Sequence, residues 1–158
     1  MRALVLSIAF TVVALAQQPP AAPKTYSSAA DVQAMIAKAK AARKENQAIV
    51  NDRILQLAPY SANLEYRGSV GPAAVHEKEA EMFYVIDGSA TLMTGGKLTA
   101  ETRTNADNLS GTGIEGGMSR NIGKGDFVIV PENTPHWFSS INGTLVLMSL
   151  HVPRTAGH

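Results

Sequence analysis

The chain has 158 residues, with 14 lysines and arginines against 13 aspartates and glutamates, and its formal charge of +1 gives no electrostatic footing for nucleic acid. A hydrophobic fraction of 45% is enough to pack the core of one domain and excludes a disordered chain. With no cysteine present, disulfides, thiolate metal sites, iron–sulfur clusters and catalytic thiols are excluded, so chemistry falls to histidine, carboxylate, hydroxyl or a bound ion.

Met1-Arg2 is a short positive start, Ala3 to Val13 is apolar apart from Ser7 and Thr11, and Ala14-Leu15-Ala16 has the small-x-small form that a signal peptidase reads. Residues 1–16 therefore read as a signal peptide, too short to span a bilayer as a helix, and the expected destination is secreted or periplasmic with no membrane association after cleavage. Residues 17–27, rich in Pro, Ala and Gln, read as an extended linker. An amphipathic helix is expected over 28–47. Ser28 and Asp31 resemble a capping box, and Val32, Met35, Ile36 and Ala39 recur at the spacing of one buried helical face. Lys38, Lys40, Arg43 and Lys44 form its wet side, the last of them at the negative pole of the helix dipole.

Residues 48–154 change to short strands and turns. Ile49-Val50, Ile54 to Leu57, Leu64 to Tyr66, Met82 to Ile86, Ala90 to Met93, Phe127 to Val130 and Leu145 to Leu150 are apolar or alternating runs. Asp87-Gly88 and Thr94-Gly95-Gly96 are turns between them, a spacing that suits an all-β sandwich or barrel. The Gly-, Thr-, Asn- and Ser-rich segment between Lys97 and Lys124 reads as a long loop, either a lid over a pocket or a surface excursion. If the strand is regular, Glu81, Phe83 and Val85 share one face and Met82, Tyr84 and Ile86 the other. Both faces are apolar, so one would line the barrel and the other pack on the helix or on a second subunit. A carboxylate among such neighbours needs a partner.

Two spaced sets of residues carry a resemblance. Gly68, His76, Glu81 and Gly88 follow G-x5-H-x-H-x4-E-x6-G with Ala74 in place of the first histidine. Gly125, Pro131 and His136 follow G-x5-P-x-G-x2-H-x3-N, with Asn133 for the internal glycine and Ser140 for the final asparagine. In these residues the chain resembles the cupin superfamily, which implies an all-β double-stranded β-helix (jelly-roll) barrel. The resemblance also implies that His76, Glu81 and His136 converge inside that barrel as metal ligands. Two imidazoles and a carboxylate suit a divalent transition metal, iron, manganese, zinc or nickel, with exchangeable positions left open. Ala74 removes a fourth ligand usual in the family and widens the space beside the ion; equally, it could mark a barrel that has given up metal. A homodimer is implied by the resemblance alone.

The remaining residues weigh less. Glu77, Lys78 and Glu79 read as solvated, and Trp137 should face away from His136. His151, two residues after Ser149, could replace the missing ligand only if the end of its strand faces inward; as a strand-end histidine it is read as exposed. Two functions from different classes follow: an exported metal-binding protein with a small-molecule pocket, open to oxygenase, isomerase or lyase chemistry, or a metal-free module that binds a sugar or other small ligand without catalysis.

Overall fold

The computed structural model describes residues 22–154, so the expected signal peptide and the first five residues of the expected linker lie outside the described residues. One helix, α1 (Ala29–Ala42), precedes eleven strands: β1 (Ile49–Leu57), β2 (Tyr60–Arg67), β3 (Ala73–His76), β4 (Glu79–Thr94), β5 (Lys97–Thr99), β6 (Thr102–Arg103), β7 (Asn108–Gly111), β8 (Gly113–Glu115), β9 (Met118–Gly123), β10 (Phe127–Val130) and β11 (His136–Pro153). The all-β barrel with a single helix is thus the observed architecture.

The barrel is organised by its two longest strands, which run antiparallel from His136 against Thr94 to Pro153 against Glu79. Both bend near their middles, at Gly88 and at the register shift between Ile141 and Leu145. Gly88 takes φ +84°, and a Cβ there would lie 2.0 Å from the carbonyl oxygen of Thr144, so only glycine lets the strands cross this closely. Each bent strand therefore serves two faces. β1, β2, the second half of β11, the first half of β4 and β10 form one; β9, the second half of β4, the first half of β11, β3, β7 and β6 form the other.

Between the faces lies the main core, in which Phe83, Val85, Leu92, Ile122, Val130, Phe138, Leu145 and Leu147 are buried. The outer side of β2 carries a second core, Ala62, Leu64 and Tyr66, against which Val32, Met35, Ile36 and buried Ala39 of α1 pack. The helical stripe read from the sequence is thus the contact face. Ser28 caps α1 in a reciprocal box with Asp31.

Two expectations are corrected. The helix stops at Ala42 rather than 47, because Arg43 turns to extended backbone and its guanidinium donates to the carbonyl oxygens of Glu45 and Gln47. The segment from Lys97 to Lys124 is not an unstructured loop: it supplies β5 to β9. β7 pairs with β3, β9 with β4, and β5 with β8 in a separate two-stranded sheet. These strands are two to six residues long and mostly half-buried or exposed, so they show no apolar alternation, and pairing with longer neighbours holds them extended.

Candidate metal centre

Glu81 enters the barrel because of strand alternation. Glu81, Phe83 and Val85 are buried, while Met82, Tyr84 and Ile86 on the outer face are half-buried, Ile86 against the helix-side core and Tyr84 against Phe127. His76 ends β3 on the same side as Ala74, and Ala74 is directly opposite His136, the first residue of β11. The chain thereby brings together the three residues that the motif spacing singles out. The His76 Nε2 lies 3.2 Å from Glu81 Oε2, and the His136 Nε2 lies 3.0 Å from the same oxygen.

A fourth side chain joins them. His151 is the cross-strand neighbour of Glu81, and its Nε2 lies 3.4 Å from Glu81 Oε1. The expectation that His151 is exposed is therefore corrected. Along β11, Leu145, Leu147 and Ser149 face the interior while Val146, Met148 and Leu150 face the helix side, so His151 inherits the inward phase. That alternation was the available signal. The donor atoms of His76, Glu81 and His151 all lie within 4.8 Å of one another, a group that could hold a metal ion.

Each imidazole is anchored on its far side by an acceptor. Nδ1 of His76 meets Asn108 Oδ1 at 2.6 Å, that of His136 meets the carbonyl oxygen of Thr134 at 3.2 Å, and that of His151 meets Glu79 Oε2 at 3.0 Å. The Asn108 amide is oriented by its own NH₂, which donates to Asn105 Oδ1. Glu79, expected to be merely solvated, and Asn108, which the sequence did not single out, are thus the outer partners of two rings. Lys78 and Glu77 do face outward, paired with Asp107 and Arg103. Trp137 points away from His136, and its Nε1 donates to the Gly71 carbonyl.

This pattern tests the fit of a cation. Acceptors at all three Nδ1 atoms require Nδ1–H, which leaves the Nε2 lone pairs aimed at a carboxylate. Lone pairs facing a carboxylate repel unless each ring takes a second proton or a cation sits among them. For ligand bonds of about 2.1 Å, donor atoms at 90–110° to one another stand about 3.0–3.4 Å apart, the spread found around Glu81. The spacings to Glu81 suit a divalent metal, and His76, Glu81 and His151 are the residues whose donor atoms lie close enough together to form such a group.

The protonation states lean the same way. Burial alone would raise the Glu81 carboxyl, but hydrogen bonds from His136 and His76, reinforced by the charges of His136 and His151, hold it far below the usual carboxylate range. Burial alone would lower His76; hydrogen bonds to Glu81 and Asn108, with the charges of Glu81 and Glu79, raise it above its ordinary value instead. The centre is built to keep positive charge beside an ionised carboxylate.

Solved structures share the fold. KdgF from Halomonas sp. matches at a TM-score of 0.51 and 17% identity, covering 72% of this chain and 86% of that one. A putative mannose-6-phosphate isomerase from Ralstonia eutropha matches at 0.50 and 13%, covering 70% and 90%. HppE in its iron(II) form matches at 0.52 and 14%, covering 69% of this chain and 53% of the HppE chain, about half its length. No curated protein sequence matches the chain. A family profile described as Cupin matches residues 29–156, most of the sequence and all of the barrel, and the chain belongs to the cupin family.

Proposed function

We propose that this cupin holds one divalent transition metal ion, iron, manganese, zinc or nickel, on His76, Glu81, His136 and His151, and presents it to a small organic molecule on the side where the His76 and His151 rings are partly exposed. The observation that supports this reading best is the set of three imidazoles whose outward nitrogens are engaged by acceptors while their inward nitrogens surround one carboxylate. A bound ion of this kind supplies Lewis acidity or a site for dioxygen, the chemistry of oxygenases, isomerases and lyases.

The chain's own residues have separable tasks. Glu81 brings negative charge to the cation, and the three rings bring neutral nitrogen. Asn108, the Thr134 carbonyl and Glu79 fix each ring's tautomer and plane. Phe83, in contact with the His136 ring at a centroid distance of 6.0 Å, keeps the core side of the centre dry. One similar fold, HppE, is described with iron(II), which is compatible with the donor set.

Metal analysis of purified protein, stripped and then exposed to each of the four ions, tests the proposal. About one ion per chain, with a rise in melting temperature that Glu81→Gln abolishes, is expected. Content well below one ion per chain with all four, and no thermal response, would leave the metal-free ligand-binding reading in its place. The same reading has the protein act after export, supported by the leader-like residues 1–16 and by a core that needs no disulfide.

A further inference from the structure

β10 is the last strand of its face. It pairs with β4 on one side and with no strand on the other among the described residues. The other free edges are protected. At the far side of the same face, β1 carries Asp52 and Arg53, and Lys24 closes against Gln56 through backbone hydrogen bonds in both directions. β9, which continues the β10 edge along the second half of β4, presents Ser119, Arg120 and Asn121. β10 has no such guard. Its four residues are Phe127, Val128, Ile129 and Val130, with Phe127 70% exposed and Ile129 60%.

The register shows which backbone groups this edge leaves free. The Val85 N–H donates to the Asp126 carbonyl oxygen at 2.9 Å, just beyond the pair Phe127–Tyr84. Alternation along the ladder then turns the N–H and C=O of Val128 and Val130 toward β4 and those of Phe127 and Ile129 away from it. The same two residues carry the exposed side chains. Tyr84, opposite Phe127, meets its ring at 4.6 Å, and Met82, opposite Ile129, lies on the same outer face.

An edge of this kind is self-complementary. Turned about a two-fold axis at Val128, it sets Phe127 against Ile129 of the partner subunit, and Ile129 against the partner's Phe127, as two hydrogen-bonded pairs. On the outer face an apolar row then runs from Tyr84 and Phe127 to the partner's Ile129 and Met82. Antiparallel pairing also brings the start of one strand to the end of the other. Lys124, three residues before β10, comes to face the partner's Glu132, two residues after it, so opposite charges meet at both ends. Within one chain both are loosely held, Lys124 at 3.6 Å from Asp87 and Glu132 at 3.6 Å from Arg154.

We infer that β10 joins two copies of this chain edge to edge, continuing the face β1-β2-β11-β4-β10 as one sheet across both subunits. The family resemblance implies a dimer but no surface for it; the β10 edge supplies the surface and the register. A second copy is the occupant that fits, because the free backbone groups, the apolar row and the Lys124–Glu132 charges all repeat under one two-fold axis. The interface is small. One row of side chains along a four-residue strand stays at or below about 1,200 Å² in total, the low end for specific association, so the dimer is weak. None of this rests on the metal reading.

Sedimentation of the purified protein between about 1 and 300 μM tests the inference, with a monomer–dimer equilibrium of micromolar Kd expected. Amide exchange at Phe127 and Ile129 should slow at least about tenfold over that range, while Val128, already bonded to β4, stays as it is. Ile129→Lys, at an exposed side chain, should raise Kd at least about tenfold and leave the melting temperature of the dilute protein unchanged, which separates loss of pairing from loss of fold. Lys124→Glu and Glu132→Lys should each weaken the dimer, and the two together should restore it, since each subunit then offers the other the reversed charges. A monomer at every concentration, a dimer indifferent to Ile129→Lys, a dimer that leaves the Phe127 and Ile129 amides unprotected, or a charge-reversed double variant no tighter than the single ones would overturn the inference. Association and metal content are read separately, so the failure of one leaves the other standing.

Discussion

Replacing His151 by alanine separates the metal role from the structural one. In the metal-free protein the ring makes two polar contacts, 3.0 Å to Glu79 and 3.4 Å to Glu81, with 23% of its side chain exposed. The first partner is itself 39% exposed and the second contact is long, so screening and poor geometry hold their joint worth to about 1 kcal/mol. That corresponds to a loss of a few degrees in melting temperature for a chain of this size. The metal-bound form should respond differently. Loss of a mere outer partner of a ligand costs about 10–100-fold in affinity, so loss of the ligand itself should cost at least about 100-fold, or about 2.7 kcal/mol. The assay is competition with a chromophoric chelator on wild type and variant, beside melting curves with and without metal. A second substitution sharpens it. Ala74 faces the interior directly opposite His136, so Ala74→His in the His151→Ala background returns an imidazole from the motif's own position and should recover at least about tenfold of the affinity. Affinity within threefold of wild type for His151→Ala, or no recovery in the double variant, would refute the assignment of His151.

Two further outcomes follow from the same interior. Ser149 is fully buried and its hydroxyl has no hydrogen-bond partner among the described residues; an unmet buried hydroxyl costs about 1–3 kcal/mol, partly offset by the packing its oxygen provides. Ser149→Ala should therefore leave stability unchanged or raise it by about 1 kcal/mol in urea unfolding, and a loss larger than that would show the hydroxyl to be bonded. The pH dependence has a definite sign. His76, raised above its ordinary 6.5, stabilises the metal-free fold below that pH, and this contribution is lost as pH rises through its folded value. Glu81, lowered from 4.5, contributes above 4.5 and loses its effect only in strong acid. Metal replaces the proton on His76, so the rise in melting temperature produced by saturating zinc should be larger at about pH 8 than at about pH 6. An equal or smaller rise at the higher pH would contradict this.

The parts of the fold and site that could be read from sequence are those whose causes are local. Glu81 and His76 lie five residues apart, within the short stretch from Gly68 to Gly88, so a motif captures them. The helix stripe of Val32, Met35, Ile36 and Ala39 is also local, a matter of 3.6-residue phase. His151 is different. Its direction is fixed by pairing with Glu81, seventy residues earlier, through a strand pair that shifts register at three places; a slip by one residue would turn it outward. The short strands from Lys97 to Gly123 were hidden for a related reason, since their extended state comes from neighbours such as β3 and β4 rather than from their own composition.

The exchange of Ala74 for His151 also changes what a bound ion would do to the barrel. With imidazoles at 74 and 76, two ligands would stand on one short strand. In this chain His76 and His136 lie on one face, while Glu81 and His151 lie on the other. Two donors from each side of the sandwich would make a bound cation a fastening between the faces at the end where the core gives way to polar side chains. The binding free energy of the metal would then oppose separation of the faces directly, since a site divided this way has no counterpart in a chain whose faces have parted. Under the proposed metal reading, moving one ligand from β3 to β11 would therefore strengthen the link between metal and fold.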